Sequence, residues 1–276
     1  MVAFILMAFI ASLPDLFIGI SSIFHGIPEA SFAEITGANI INLTLAIGLA
    51  VLFLGGSLEV EKKIIKKDAV FTAISALLPI ILILDGELSR IDGIILLLGF
   101  AIYLSWLFSQ KDRFHRIYNN TDQGIKQFLK DILLFLGSVA LLILGAELMI
   151  GLIVIFAQTF NISTTLIGVI VIGAGTALPE TYFVVRAALH GRREMILGNL
   201  MGSVVITSLL ILGVVALIYP IKIADFTPYF IARIFLMISA ISFMVFIRTH
   251  EKITKKEALL LIFIYLAFVA TEILLK

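Results

Sequence analysis

Residues 171–208 read VIGAGTALPETYFVVRAALHGRREMILGNLMGSVVITS. The stretch is apolar enough to lie in a membrane, yet Glu180 stands inside it, directly after Pro179. An ionised carboxylate at the centre of a bilayer costs roughly 2.5–3.5 kcal/mol on insertion scales, so such a group is rarely kept without a function. A second version occurs at residues 8–42, AFIASLPDLFIGISSIFHGIPEASFAEITGANIIN. A shift of 165 residues, with no gap, lays Leu13-Pro14-Asp15 on Leu178-Pro179-Glu180 and His25-Gly26 on His190-Gly191. The same shift lays Gly37 on Gly202 and Gly48 on Gly213. One membrane unit is used twice, and each copy carries one acid.

The composition around these units agrees. The chain is 61% hydrophobic and 14% charged, with mean hydropathy +1.15, against about 45–50% apolar and about 25% charged in a soluble domain. There are too few polar residues for a soluble shell. The apolar segments run to about 20 residues, the length of a bilayer-spanning helix rather than the ~10-residue alternating strand of a barrel. Cysteine is absent, which excludes disulfides and thiolate chemistry and leaves the compartment open. No basic residue precedes the first apolar run, and that run holds half of the repeated motif, so a cleaved secretory signal is not expected.

The chain reads as an all-α polytopic membrane protein of nine helices, near 2–24, 31–54, 68–85, 91–109, 129–157, 163–190, 194–219, 226–247 and 256–275. Charged clusters such as EVEKKIIKKD and RTHEKITKKE separate several of them, and turns such as HGIPEAS separate others. Loops within 62–67, 111–130, 186–193 and 248–256 hold sixteen of the twenty Lys and Arg. The opposite side holds Arg90, Lys222 and Lys276, while Arg233 lies about two turns inside a helix and is read as snorkelling. The positive-inside rule makes the rich side cytoplasmic, with the N-terminus of this chain inside and its C-terminus outside.

That topology sends the helix of Asp15 outward and the helix of Glu180 inward. The copies are antiparallel, an inverted-topology repeat of the kind that builds secondary transporters. The expected division is 1–109 for the first repeat, 110–128 for a cytoplasmic linker and 129–276 for the second repeat. The counterpart of helix 129–157 would fall before residue 1, so either the first repeat lacks its leading helix or the true start of the chain lies upstream of Met1.

Oxygen-bearing side chains sit at helical spacing around both acids. Ser12 precedes Asp15 by three residues and Thr176 precedes Glu180 by four, so each pair shares a face. Ser203 and Thr207 are four apart on the following helix, and Asn42 takes the place equivalent to Thr207. Pro14 and Pro179 lack an amide hydrogen, and helix breaks there are expected to free backbone carbonyls as ligands. Ala8 and Gly173 complete the candidate set, and Gly173 with Gly175 permits bending. Hard cations such as calcium and sodium take oxygen ligands of these kinds. With no thiolate and no histidine inside a helix, a soft transition metal fits poorly. Glu34 falls in the place of Asn199, at the outer end of the second helix, where solvation at the interface is as good a reading as function. Glu147 either lines the ion path or makes a helix contact. His25 and His190 fall at turns, where a loop role is favoured over proton sensing.

At Gly175-Thr176-Ala177-Leu178-Pro179-Glu180 and Gly198-Asn199-Leu200-Met201-Gly202-Ser203 the chain resembles the sodium/calcium exchanger family of the cation/calcium antiporter superfamily. Ala11-Ser12-Leu13-Pro14-Asp15, Gly37-Ala38-Asn39-Ile40-Ile41-Asn42 and the run LGAEL at 144–148 carry the same resemblance. It implies a ten-helix antiporter in which four helices surround midplane sites for sodium and calcium, with the acids as ligands. The departures are Asp15 for a glutamate, Ala11 for a threonine, Ala38 and Ala177 for serines, and Thr207 for an acid or amide. Each pair related by the repeat keeps one hydroxyl: Ala11 with Thr176, Ala177 with Ser12, Ala38 with Ser203.

The expected function is therefore exchange of calcium, or a related cation, against sodium by alternating access. Calcium and sodium are cargo; no bound cofactor is expected, and no GxxxxGK[ST] stretch points to a nucleotide. The expected partners are the lipid bilayer and inorganic cations, with no nucleic acid, and the expected host is a prokaryotic plasma membrane. Three rival readings are a proton-coupled exchanger, a non-transporting relative, and an intramembrane enzyme using Asp15 and Glu180 as an acid–base pair. The repeat symmetry argues against the enzyme.

Overall fold

The computed structural model describes residues 8–59, 63–109, 125–160, 162–223, 226–250 and 252–275. Among these residues the chain forms nine long helices, as expected. They are α1 (Ala8–Phe24), α2 (Glu29–Phe53), α3 (Lys63–Leu82), α4 (Arg90–Phe108) and α5 (Ile125–Phe160). After them come α6 (Thr164–Leu189), α7 (Arg193–Ile218), α8 (Phe226–His250) and α9 (Lys255–Leu274). Eight are long and apolar enough to cross a membrane, and α1 is a shorter apolar helix. The most hydrophobic windows of α2 and α7 are 83% and 78% buried, against 17% for α5. The two helices next to the acid-bearing ones thus form the centre, and α5 lies at the rim, where Leu141, Leu144, Leu148 and Ile155 face outward.

Local sequence explains where the helices begin and end. Ser89 with Asp92 and Thr254 with Glu257 form capping boxes at the starts of α4 and α9, each satisfying exposed amide donors. The repeated His-Gly pair is a helix stop. Gly26 and Gly191 adopt φ of 71° and 67° just past α1 and α6, a left-handed conformation that glycine enters without penalty. In the residue before each, ring Nδ1 of His25 lies 3.0 Å from the Ser21 carbonyl, and that of His190 lies 2.7 Å from the Arg186 carbonyl. The turn reading of these histidines is what the structure shows.

Glycines set the central crossings. An added Cβ at Gly37 would lie 2.0 Å from the Val169 carbonyl oxygen, and one at Gly173 would lie 2.9 Å from the Ala38 nitrogen. So α2 and α6 touch backbone to backbone. At the crossing related by the repeat, a Cβ added at Gly202 of α7 would lie 3.0 Å from the side-chain carbon of Ala8 of α1. Further out, Gly48 packs on Ala258 and Ile262 of α9, and Gly213 packs on Gly93 and Leu97 of α4.

Two features depart from the sequence reading. Helix breaks were expected at both prolines. Ser12 does leave helical geometry, with ψ of 1°, and Pro14 then lies in the first turn of the remaining helix. In α6, however, the helix runs on through Pro179 from Gly173 to Leu189. Wide π turns occur instead at Gly168–Ile172, Asn42–Ala46 and Ile206–Ile211. Each widened turn accommodates one extra residue without ending its helix. The second departure is two antiparallel two-residue ladders between loops, Leu58–Glu59 with Lys252–Ile253 and Glu87–Leu88 with Ile221–Lys222. The 165-residue shift carries Glu87–Leu88 of one ladder onto Lys252–Ile253 of the other, while the partner strands are offset by two residues. Segments this short carry no strand signal, and their partners lie far away in the chain.

Candidate cation site

The buried polar side chains of α1, α2, α6 and α7 meet where these helices cross. Asp15 and Glu180 are each 5% exposed and near enough to repel one another. Neither faces lipid. The π turns of α2 and α7 begin at or beside Asn42 and Thr207, so the widened turns fall at the candidate site. Such turns are frequent at functional sites.

Glu180 is held from both sides. Asn42 Nδ2 of α2 donates to its Oε2 at 2.5 Å, and Ser203 Oγ of α7 donates to its Oε1 at 2.5 Å. Three of the predicted residues thus converge on one carboxylate. The equivalent clasp around Asp15 would need Thr207 and residue 38. Residue 38 is alanine, and the Thr207 hydroxyl turns to Asn39 Oδ1 at 3.1 Å and to the Ser203 carbonyl at 3.0 Å. Asp15 has instead the carboxyl group of Glu34 within hydrogen-bonding reach. The two halves share a template but brace their acids differently.

The remaining predicted residues are placed as follows. Ser12 Oγ donates to the Ala8 carbonyl at 2.9 Å, which also accepts the Ser12 amide, so that carbonyl is already engaged. Ala8 is fully buried beneath Gly202. Thr176 Oγ1 donates to Glu34 Oε1 at 2.6 Å and lies 3.4 Å from the Gly173 carbonyl. Gly173 packs against the backbone of α2.

Sequence reasoning left Glu34 open between interfacial solvation and function and missed Asn39. Glu34 is fully buried. Asn39 bridges the central helices, accepting from Thr207 and donating from Nδ2 to Ser208 Oγ at 2.8 Å. The signal for Glu34 was the shift of 165 residues that lays it on Asn199; Asn39 falls on Val204 and carried none. Glu147 makes a helix contact, 3.5 Å from His25 Nε2.

This arrangement offers a cation carboxylates, hydroxyls and an amide oxygen. The charged groups acting on Asp15 are Glu34 and Glu180, and neither is a base. Asn42 Oδ1 is buried and unpartnered, which in a buried site costs stability unless something positive meets it. Among the described residues no three acid, imidazole or thiol side chains converge as a metal cage. A cation here would take neutral oxygens alongside the acids, as calcium and sodium do.

A family model described as sodium/calcium exchanger protein matches residues 1–109 and 130–274. The sodium/calcium exchanger MaX1 of Methanosarcina acetivorans is 35% identical over 141 residues, which cover 51% of this chain and 40% of that protein. The inner membrane protein YrbG of Escherichia coli is 26% identical over 220 residues, covering 76% of this chain and 66% of that protein. The matches thus span less than two thirds of these relatives' lengths. Among solved structures, the sodium-calcium exchanger NCX_Mj soaked with sodium and strontium superposes with a TM-score of 0.70 at 24% identity, over 97% of this chain and 86% of that one. At that identity the likeness is one of fold.

Proposed function

The chain belongs to the sodium/calcium exchanger family, and from that premise we propose that it exchanges calcium, or a related hard cation, against sodium across the membrane. The observation that carries the reading is the clasped Glu180: a buried carboxylate with both oxygens oriented by Asn42 and Ser203, faced by Asp15, and with no ion pair to a basic side chain among the described residues. Asp15 and Glu180 are the charged ligands, and Ser12, Asn42, Thr176, Ser203 and Thr207, with the carbonyls of Ala8 and Gly173, supply or orient neutral oxygens. The protein is a transporter rather than an enzyme. Exchange proceeds by alternating access, the site opening to one side and then the other as helices of the two halves shift against each other. The loops rich in Lys and Arg face the cytoplasm. Sodium moving down its gradient supplies the free energy.

Proteoliposomes loaded with sodium test this. Diluting them into sodium-free buffer should drive calcium uptake, which should stop when the gradient is abolished at constant pH. Uptake that runs equally fast with no sodium on either side, and follows an imposed pH gradient, would overturn sodium coupling in favour of protons.

A further inference from the structure

At the crossing of α2 and α6, Glu34 is a carboxylate with no counter-charge among the described residues. Its Oε1 accepts from Thr176 Oγ1 at 2.6 Å, while its Oε2 is buried with no hydrogen-bond donor. The neighbour within hydrogen-bonding reach is a second carboxylate, Asp15, and the further charge felt is Glu180. Two adjacent carboxylates in a medium of low dielectric repel strongly unless a positive charge lies between them. Further along α2, the amide oxygen of Asn42 is likewise buried and unpartnered among the described residues, while its nitrogen is fixed on Glu180.

The second half of the repeat has no such pair. Asn199 stands in the place of Glu34, its amide nitrogen unpartnered, and Ala11 stands in the place of Thr176. The Thr176 hydroxyl that orients Glu34 is therefore matched to this acid and absent where there is no acid. Without the tight crossing at Gly37 and Gly173, Thr176 would not reach across from α6.

We propose that Glu34 is a third cation-ligating carboxylate, which with Asp15 forms an off-axis subsite for a hard divalent cation of calcium's class. This rests on the antiporter reading and extends it: Asp15, which lacks the clasp given to Glu180, ligates jointly with Glu34. Two full negative charges at one point suit a divalent ion better than sodium, and the number of charged ligands is a main determinant of calcium affinity.

Calorimetric titration of the purified full chain with calcium chloride, and separately with sodium chloride, decides the matter. Calcium affinity should fall by about tenfold or more in Glu34→Gln and in Glu34→Asn, with the thermal midpoint and gel-filtration profile unchanged. Glu34→Asp, which keeps the charge, should recover most of it. Calcium binding by Glu34→Gln within twofold of the unaltered chain overturns the proposal, as does a loss confined to sodium. If Glu180→Gln loses calcium while Glu34→Gln does not, the subsite fails and the antiporter reading stands. If the unaltered chain binds neither ion, both fail together.

Discussion

Glu180→Gln abolishes measurable sodium-driven calcium uptake and weakens calcium binding by about 30-fold or more. The magnitude follows from electrostatics. A unit charge pair at about 4 Å is worth about 4 kcal/mol at an effective dielectric of 20. Losing half of that is about 2 kcal/mol, or a factor of about 30. Geometry adds to the loss. Both Glu180 oxygens accept, from Asn42 Nδ2 and Ser203 Oγ, so a glutamine must set its own NH₂ against one of these donors or turn the clasp around. Asp15→Asn should cost less, because Glu34 remains beside it to hold charge. The order of the two effects, read by calorimetry on both variants, checks the unequal bracing of the acids. Equal losses, or a larger loss at Asp15, would contradict it. Removing a buried charge also relieves repulsion, so the empty Glu180→Gln protein should melt no earlier than the unaltered chain.

Gly37→Ala is expected to do the opposite, damaging the scaffold more than the ligand set. The added methyl carbon would lie 2.0 Å from the Val169 carbonyl oxygen and 3.1 Å from its Cα. That neighbour is backbone and has no rotamer to swing away, so α2 and α6 must part. Overpacking of this kind costs about 1–3 kcal/mol even where side chains can adjust, and here they cannot. The thermal midpoint should fall, and Thr176 should lose its reach to Glu34. Gly151→Ala, on α5 with nothing within 4 Å of the added carbon, is the matched control and should melt as the unaltered chain does. A Gly37→Ala protein with unchanged midpoint and transport would show that the crossing is not closed in the membrane.

Much of this architecture could be read from the chain. Apolar runs separated by charged clusters located nine helices, because in lipid every backbone group must be satisfied within a helix. The exact repeat of Pro followed by an acid located Asp15 and Glu180, and helical spacing located Ser203 and Asn42 as their companions. What escaped reading depends on crossings between distant segments. The Thr207 hydroxyl turns to Asn39 of α2, a contact between helices that spacing along one helix cannot show. Glu34 looked interfacial because it lies near the start of its helix, yet the glycine-lined contact with α6 covers it. The prolines signalled breaks, but α6 runs on through Pro179 with a π turn further upstream, and no single residue announces such a turn.

At the seam between α2 and α6, neither Gly37 nor Gly173 leaves room for a methyl group, because the atoms opposite are backbone. On the alternating-access proposal the two halves must shift against each other, and this seam lies between them. Sequence drift at these two glycines would therefore alter how readily the halves move while every ligand stays the same.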